Sequence, residues 1–154
     1  MLVNYPPIDR LLGQLATTHQ CDILMAVESG SRCWGFDSPD SDFDVRGITV
    51  HLNQDRYLSL FTRPHDVDIS TTVTVGGEVI DVVLWDLGKA LRLCWKSNPS
   101  LIDWLQSPLD YRPRDPRLTR VLEEDQGIWY DRFSHAMHFF SMARKNTREF
   151  LQGD

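Results

Sequence analysis

The sequence is poor in cysteine, and no stretch approaches the roughly 18 consecutive apolar residues that a membrane-spanning helix needs. Its three cysteines, Cys21, Cys33 and Cys94, form no CxxC pair. We interpret them as reduced thiols that pack in or near the core, which predicts a cytoplasmic protein without a membrane segment. The first ten residues also lack the basic and apolar regions of a secretory signal.

Positive charge and glutamate are scarce as well. The 16 Lys and Arg residues are outnumbered by 22 acidic ones, which gives a net charge of −6. This balance argues against broad non-specific binding to DNA, although a local basic patch is compatible with it. Of the acidic residues 17 are Asp and only 5 are Glu. Asp suits turns, helix caps and sites for hard metal ions, so the excess of Asp is a first indication of metal chemistry.

Three common catalytic motifs are missing. The sequence contains no GxSxG, no HExxH and no GxxxxGK[ST]. The sequence therefore lacks the defining residues of serine hydrolases of the nucleophile-elbow type, of zinc proteases and of P-loop enzymes. With 154 residues, 42% of them hydrophobic, the chain is long enough for one globular domain with a real core.

The order of periodic segments predicts an α/β or α+β core. A helix ends near residue 19, an apolar strand follows at 23–27, and a Gly-Ser turn leads to a second strand at 43–50. Gly76-Gly77 predicts a hairpin between 71–75 and 79–85. Asp86 is suited to cap a helix that runs to about residue 97, and Asn98-Pro99 starts another short helix.

The composition changes after residue 106. Residues 107–116 are rich in Pro and Arg without periodicity, which predicts a linker or long loop. Helical patterns follow at 118–126 and 133–151. We therefore expect a core domain at 1–106 and, at 107–154, a linker with a helical appendage packed on that core.

The first candidate site is the sequence Gly30-Ser31-Arg32, directly after a buried strand. A Gly-Ser turn that opens a short helix presents free backbone N–H groups and a hydroxyl, which suit a phosphate. The alternative is a tight strand-to-helix turn with no ligand. The pentapeptide around it does not decide between the two.

Two carboxylates, Asp42 and Asp44, enter the next strand. Residues i and i+2 of a strand point to the same face, about 7 Å apart at Cα, and such a pair repels itself unless a cation lies between its members. DxD alone decides nothing, because a chain this rich in Asp contains about two such pairs by chance. Asp81 interrupts a later apolar strand; if that strand lies beside the Asp44 strand, three carboxylates converge, as two Mg²⁺ ions require.

Basic residues recur at helical spacing after this strand. Lys89, Arg92 and Lys96 lie on one face of the predicted helix. They form either a solvated face or a border of the site that meets a triphosphate or a nucleic-acid backbone. Arg32 and Lys89 are the candidate cationic helpers for bound phosphate.

The segments ESGSRCWGFDSPDSDFDVRG and IDVVLWDLGKALRLCWKSNPSLIDWLQSP resemble predicted nucleotidyltransferases of the DNA polymerase β superfamily, of the type encoded near RNA ligases. The likeness runs from about Ile23 to Gly153. It implies a small mixed β-sheet flanked by helices, a divalent metal, Mg²⁺ or Mn²⁺ as two ions, and transfer of a nucleoside monophosphate from a nucleoside triphosphate.

The resemblance also implies roles for single residues. Gly30 and Ser31 match the Gly-Ser pair that holds the triphosphate, Asp42 and Asp44 match the two metal-bridging carboxylates, and Asp81 matches the third. Leu84 departs from the family, whose members often have a glycine there. Family members also continue past the equivalent of Gly153 with a further helical part, so the chain is expected to lack that part.

These observations lead to one leading hypothesis and two rivals. The leading hypothesis is a metal-dependent nucleotidyltransferase that joins a nucleoside monophosphate to an acceptor hydroxyl and releases pyrophosphate. The acceptor stays open between an RNA end, a tRNA, a protein and a small molecule. The rivals are a catalytically silent relative that binds nucleotide, RNA or protein, and a phosphohydrolase that uses the same carboxylates with water as acceptor.

Overall fold

The fold is built on one mixed β-sheet. The computed structural model describes residues 1–38, 40–58, 68–124 and 130–151. The strands are β1 (Cys21–Glu28), β2 (Phe43–His51), β3 (Ile69–Val75), β4 (Glu78–Asp86) and β5 (Asp110–Arg112), in the spatial order β3-β4-β2-β1-β5. β2 and β4 are parallel, and the other neighbours are antiparallel. The predicted mixed α+β architecture is confirmed.

Proline or a capping side chain marks the start of the helices at Pro6, Leu87, Pro99 and Pro116. They are α1 (Pro6–His19), α2 (Ser31–Trp34), α3 (Asp55–Leu58), α4 (Leu87–Trp95), α5 (Pro99–Gln106), α6 (Pro116–Thr119) and α7 (Arg132–Leu151), with a π-helical turn at Arg120–Glu124. Asp86 accepts a hydrogen bond from the Gly88 N–H at 2.8 Å, and Asn98 accepts one from the Leu101 N–H at 3.2 Å. Both predicted caps are therefore confirmed.

Helices cover both faces of the sheet. On one face α1 buries Leu12 against Val45 and Val82. On the other face Ile48 packs with residues of α4 and α5, including Leu101. Leu24 to Val27 of β1 are buried on both faces for this reason. All three cysteines are buried free thiols, as predicted, and burial raises the pKa of the Cys94 thiol to about 12.

The predicted linker at 107–116 is wrong for part of its length. Residues Asp110–Arg112 form β5, an edge strand that pairs antiparallel with β1 through Ala26 and Val27. Three residues are too few to show a period-2 pattern, and their partner lies more than 80 positions earlier, as the pair Val27 and Asp110 shows. The sheet therefore includes residues beyond the predicted boundary at 106.

The C-terminal helical patterns are present in the structure. Pattern 118–126 falls on α6 and the π-helical turn, with residues 125 and 126 outside the described part, and α7 accounts for 133–151. A hydrogen bond connects the residue before α7 to the core: the Asp131 N–H donates to Ser97 Oγ at 2.8 Å. Phe133 and Phe140 on α7 are 73% and 61% exposed. Among the described residues, no helix has both the length and the hydropathy to cross a bilayer.

Candidate active site

The Gly-Ser turn lies where β1 ends and β2 begins. Because β1 and β2 are antiparallel, the end of one strand and the start of the other meet at the same edge of the sheet. The Ser29 N–H donates to the Asp44 carbonyl at 2.9 Å, and Gly30 is the N-cap residue of α2. The predicted turn into a short helix is confirmed, and it lies against the predicted aspartate strand.

Glycine is required at position 30 because a side chain would not fit there, and not because of the backbone conformation. Its φ of −88° is open to any residue. A Cβ at this position, however, would lie 2.1 Å from Asp44 Oδ2 and 2.8 Å from Asp44 Cγ. The turn and the carboxylate are thus built in direct contact.

Glu28 holds this arrangement together, and the sequence analysis assigned it no role. Its side chain is 0% exposed. Oε1 accepts hydrogen bonds from the Gly30 N–H at 2.8 Å and the Asp44 N–H at 3.1 Å, and Oε2 accepts one from the Tyr111 hydroxyl at 2.6 Å. Burial and this hydrogen bond raise the pKa of Tyr111. The available signal was a Glu that ends an apolar strand, where a buried carboxylate needs partners.

Asp44 and Asp81 are brought together by the parallel pairing of β2 and β4. They are direct partners in the register of the two strands, as the sequence analysis had required. Strand alternation turns both side chains to the sheet face that α4 and α5 partly cover. Asp44 is 34% exposed and Asp81 31%, so both carboxylates are reachable from solvent.

Arg46 lies between the two carboxylates and was also missed. Its Nη2 donates to Asp44 Oδ1 at 2.9 Å and to Asp81 Oδ2 at 2.8 Å. Its Nη1 donates to the Asp81 carbonyl at 3.0 Å. The signal was present in the sequence, because a residue two positions after Asp44 on a strand points to the same face.

The predicted cluster of three carboxylates is not formed. Within the described residues, no three His, Cys, Asp or Glu side chains are arranged so as to hold a metal ion. Asp42 precedes β2 and is exposed, while Arg46 separates Asp44 from Asp81. A guanidinium neutralises the carboxylates where we had expected a metal ion to do so.

Arg32 organises the loop that leads into β2. Its Nη2 donates to the Ser41 carbonyl at 2.5 Å and its Nε to the Asp42 carbonyl at 3.3 Å. The guanidinium also lies 4.0 Å from the centre of the Phe43 ring. Arg32 is therefore adjacent to the carboxylates, although several of its donors already serve the loop.

Lys89 lies away from the other candidates. It forms an ion pair with Asp68 and lies 4.8 Å from the centre of the Trp85 ring. Trp85 follows Asp81 by four strand positions, which correspond to about 13 Å. The structure thus brings together Gly30, Asp44 and Asp81. Ser31 and Arg32 follow Gly30 on α2, Arg32 contacts Asp42 only at its backbone carbonyl, and Lys89 lies at the far end of β4.

The chemistry of the donor set fits a hard divalent cation. Asp42 and Asp44 supply carboxylate oxygens at a solvent-accessible edge, which are the ligands that Mg²⁺ and Mn²⁺ prefer. Asp44 Oδ2 faces Gly30, and no hydrogen bond to it occurs among the described residues. Asp42 and Asp44 are the residues that would hold such an ion, and within the described residues no third carboxylate joins them in a metal-binding group.

The unusual Leu84 is accommodated by a glycine on the neighbouring strand. Leu84 is fully buried and is the register partner of Gly47. A Cβ on Gly47 would lie 2.8 Å from Leu84 Cδ2 and 2.4 Å from the Met25 carbonyl oxygen. The bulk gained on β4 is thus matched by the absence of a side chain on β2.

A mixed sheet with a Gly-Ser turn packed on one aspartate, and a second aspartate on the adjacent parallel strand, is consistent with a small α+β nucleotidyltransferase-like fold. The chain belongs to the RNA repair pathway DNA polymerase beta family, which it matches over residues 6–154. It is 36% identical over 145 residues to the uncharacterized protein YcgL of Bacillus subtilis (strain 168). That alignment covers 92% of this chain and 52% of YcgL, so the chain spans about half the length of this curated relative.

Proposed function

We propose that the chain is a metal-dependent nucleotidyltransferase. It transfers a nucleoside monophosphate from a nucleoside triphosphate to an acceptor hydroxyl. The oxygen of the acceptor forms a bond to the α-phosphorus, the bond between the α-phosphorus and its bridging oxygen breaks, pyrophosphate leaves, and the hydroxyl proton passes to solvent.

One contact carries the proposal. Gly30 and Asp44 are so close that no Cβ fits between them. The turn that we propose binds phosphate and the carboxylate that we propose binds a metal ion therefore border the same small volume, as phosphoryl-transfer chemistry requires. A turn with a purely structural role would have no need to lie against a half-exposed carboxylate.

Asp42 and Asp44 would hold Mg²⁺ or Mn²⁺, the ion that supplies charge neutralisation for the triphosphate and acidifies the acceptor hydroxyl. Ser31 binds phosphate oxygens through its hydroxyl and its backbone N–H, because the N–H groups of Ser29 and Gly30 already donate to Asp44 and Glu28. Arg32 keeps Asp42 in position by holding the loop carbonyls at residues 41 and 42. Glu28 fixes the N–H groups of Gly30 and Asp44, so the turn and the strand keep their relative position.

An RNA end is the acceptor that the family description favours. The alternatives are a tRNA, a protein and a small molecule. The proposed partners are therefore RNA and a nucleoside triphosphate.

The test is incubation of the protein with each α-labelled nucleoside triphosphate, Mg²⁺ and total cellular RNA or protein. We expect the label to enter RNA, and we expect pyrophosphate in equal amount. The double variant Asp42→Ala, Asp44→Ala should lose transfer and keep its far-ultraviolet circular dichroism spectrum. Arg117→Gln is the matched control, because Arg117 is exposed and pairs only locally with Asp115 among the described residues.

Other outcomes of the same assay favour the rivals. Free labelled nucleoside monophosphate without labelled polymer or protein would identify a phosphohydrolase. Nucleotide binding by calorimetry without release of pyrophosphate would identify a silent binding protein. Transfer retained by the double variant would refute the assignment of the two aspartates.

A further inference from the structure

Arg46 donates hydrogen bonds to oxygen atoms that Asp81 would need to bind a metal ion. Asp81 Oδ2 and the Asp81 carbonyl both accept hydrogen bonds from the Arg46 guanidinium, at 2.8 and 3.0 Å. The other carboxylate oxygen, Oδ1, accepts one from Thr72 Oγ1 on β3 at 2.8 Å. Both side-chain oxygens of Asp81 are therefore engaged within the protein.

Asp44 and Asp42 differ from Asp81 in this respect. Arg46 engages only Oδ1 of Asp44, and Oδ2 lies towards Gly30. The Asp42 carboxylate is exposed and makes no hydrogen bond or ion pair within the described part of the chain; only its backbone carbonyl accepts one, from Arg32. These oxygens remain available to an ion.

We propose that Arg46 is a positioning residue that takes the place of a second metal ion between Asp44 and Asp81 in the protein without nucleotide. The free protein then binds one divalent ion, through Asp42 and Asp44, and Asp81 contributes nothing to that ion. This inference rests on the proposed function for the kind of metal and for the triphosphate that would draw Arg46 away from Asp81.

Charge and hydration explain why a guanidinium is retained there. Adjacent strands lie about 4.8 Å apart, so two carboxylates on paired positions repel each other unless a positive charge separates them. Arg46 is only 18% exposed, is permanently charged and is already attached to the strand, so it neutralises the pair without losing translational freedom. Mg²⁺ must instead give up part of a tightly held hydration shell.

Asp81 would be free to hold a second ion only once Arg46 has released it. The phosphate groups of a bound triphosphate are strong acceptors for a guanidinium and lie on the side of Gly30 and Asp44 in the proposed function. Arg46 would thus couple nucleotide binding to completion of the metal site.

The test is a titration of the metal-free protein with Mn²⁺ alone, followed by electron paramagnetic resonance, which detects free Mn²⁺. We expect one bound ion per chain in the natural protein and in the control Arg117→Gln. Arg46→Gln should bind two ions, because Asp81 is then released. Arg46→Lys, which keeps the positive charge, should bind one.

Two further variants test the ligands while leaving Arg46 intact. Asp81→Asn should change the dissociation constant for Mn²⁺ by less than about twofold, whereas Asp44→Asn should raise it by at least about tenfold, since it removes a direct ligand. This pair of variants decides the inference even if Arg46→Gln fails to fold, which thermal unfolding would reveal.

Several results would overturn the inference. These are two ions or none in the natural protein, one ion in a folded Arg46→Gln, or equal weakening by Asp81→Asn and Asp44→Asn. The result is separable from the proposed function. One bound Mn²⁺ in a protein that transfers no nucleotide would refute the function and leave the role of Arg46 standing.

Discussion

Strand β4 carries an aspartate near each end, and the two have different partners. Asp81, near the start, accepts hydrogen bonds from the charged Arg46 and from Thr72. Asp86, at the end, accepts bonds from the Gly88 N–H at 2.8 Å and the Tyr57 hydroxyl at 2.6 Å. The Asp81 carboxylate is balanced by the partly buried charge of Arg46, and the Asp86 carboxylate caps the start of α4.

The surroundings of the two ends differ in the same way. At the Asp81 end, Asp44 contacts both Gly30 and Arg46. Near the start of α4, at the other end, a groove of about 460 Å³ is lined by leucine and valine side chains and, at the same time, by Asp22, Asp115 and Arg117. An aspartate beside a second carboxylate and an arginine indicates a candidate binding site for a charged ligand. An aspartate that faces neutral donors indicates a structural role.

The largest expected difference between the two ends is in nucleotide transfer. Asp44→Asn should lower the rate by at least about 10³-fold, because a metal ion contributes several kcal/mol to stabilising the transition state. Asp86→Asn should leave the rate within about twofold, since it removes no ligand. Initial rates with a labelled nucleoside triphosphate measure both. Equal losses would remove the functional distinction between the two ends.

Glu28 should have the largest effect on stability. Glu28→Ala leaves the Gly30 and Asp44 N–H groups and the Tyr111 hydroxyl without their acceptor, so we expect the free energy of unfolding to fall by about 3 kcal/mol. Glu28→Gln keeps an oxygen acceptor and should lose less. Urea unfolding measures both values. A loss below about 0.5 kcal/mol for the alanine variant would contradict the role given to this carboxylate.

Asp86 should have a moderate effect on stability. Asp86→Ala removes the cap of α4 and the acceptor of the Tyr57 hydroxyl, which together cost about 1–2 kcal/mol. Urea unfolding again measures the change. Asn98→Ala at the cap of α5 is a matched comparison, because it removes one cap without a tyrosine contact. A larger loss for Asn98→Ala would show that the Tyr57 contact adds nothing.

The smallest expected effect is a dependence of stability on alkaline pH. Burial, followed by the hydrogen bond to Asp86, raises the pKa of Tyr57 from 10.0 to about 12. The folded state thus favours the neutral phenol, so the contribution of Tyr57 is fully present below pH 10 and is lost as the pH rises from 10 to about 12. Unfolding of Tyr57→Phe should lack this component.

A direct titration provides the control for the tyrosine. The phenolate absorbance of Tyr57, taken as the difference between the natural protein and Tyr57→Phe, should appear near pH 12. Asp86→Ala should move it downward, because the acceptor and its negative charge are gone. An unchanged midpoint would mean that Asp86 does not act on this group.

The sequence was sufficient for features that depend on neighbours in the chain. The hairpin at Gly76-Gly77, the caps Asp86 and Asn98, and the turn at Gly30 depend on local backbone preferences, and all occur in the structure. The meeting of Asp44 with Asp81 also followed, once their strands were assumed to be neighbours.

Features that depend on distant partners were missed. Arg46 and Glu28 look ordinary in the sequence, because the carboxylate and hydroxyl they contact belong to β4 and β5. Strand β5 itself is defined by pairing with β1 rather than by its three residues. Side-chain roles of this kind emerge only when the sheet order is known.

The position of β5 also sets how far the chain can be shortened in recombinant work. A protein cut at the predicted boundary of 106 would lose Tyr111, the partner of Glu28, and Ser107, which donates to the Glu28 carbonyl at 2.6 Å. β1 would then become a bare edge strand, open to pairing with other copies. We therefore expect such a shortened protein to aggregate, and the smallest soluble unit to include Arg112.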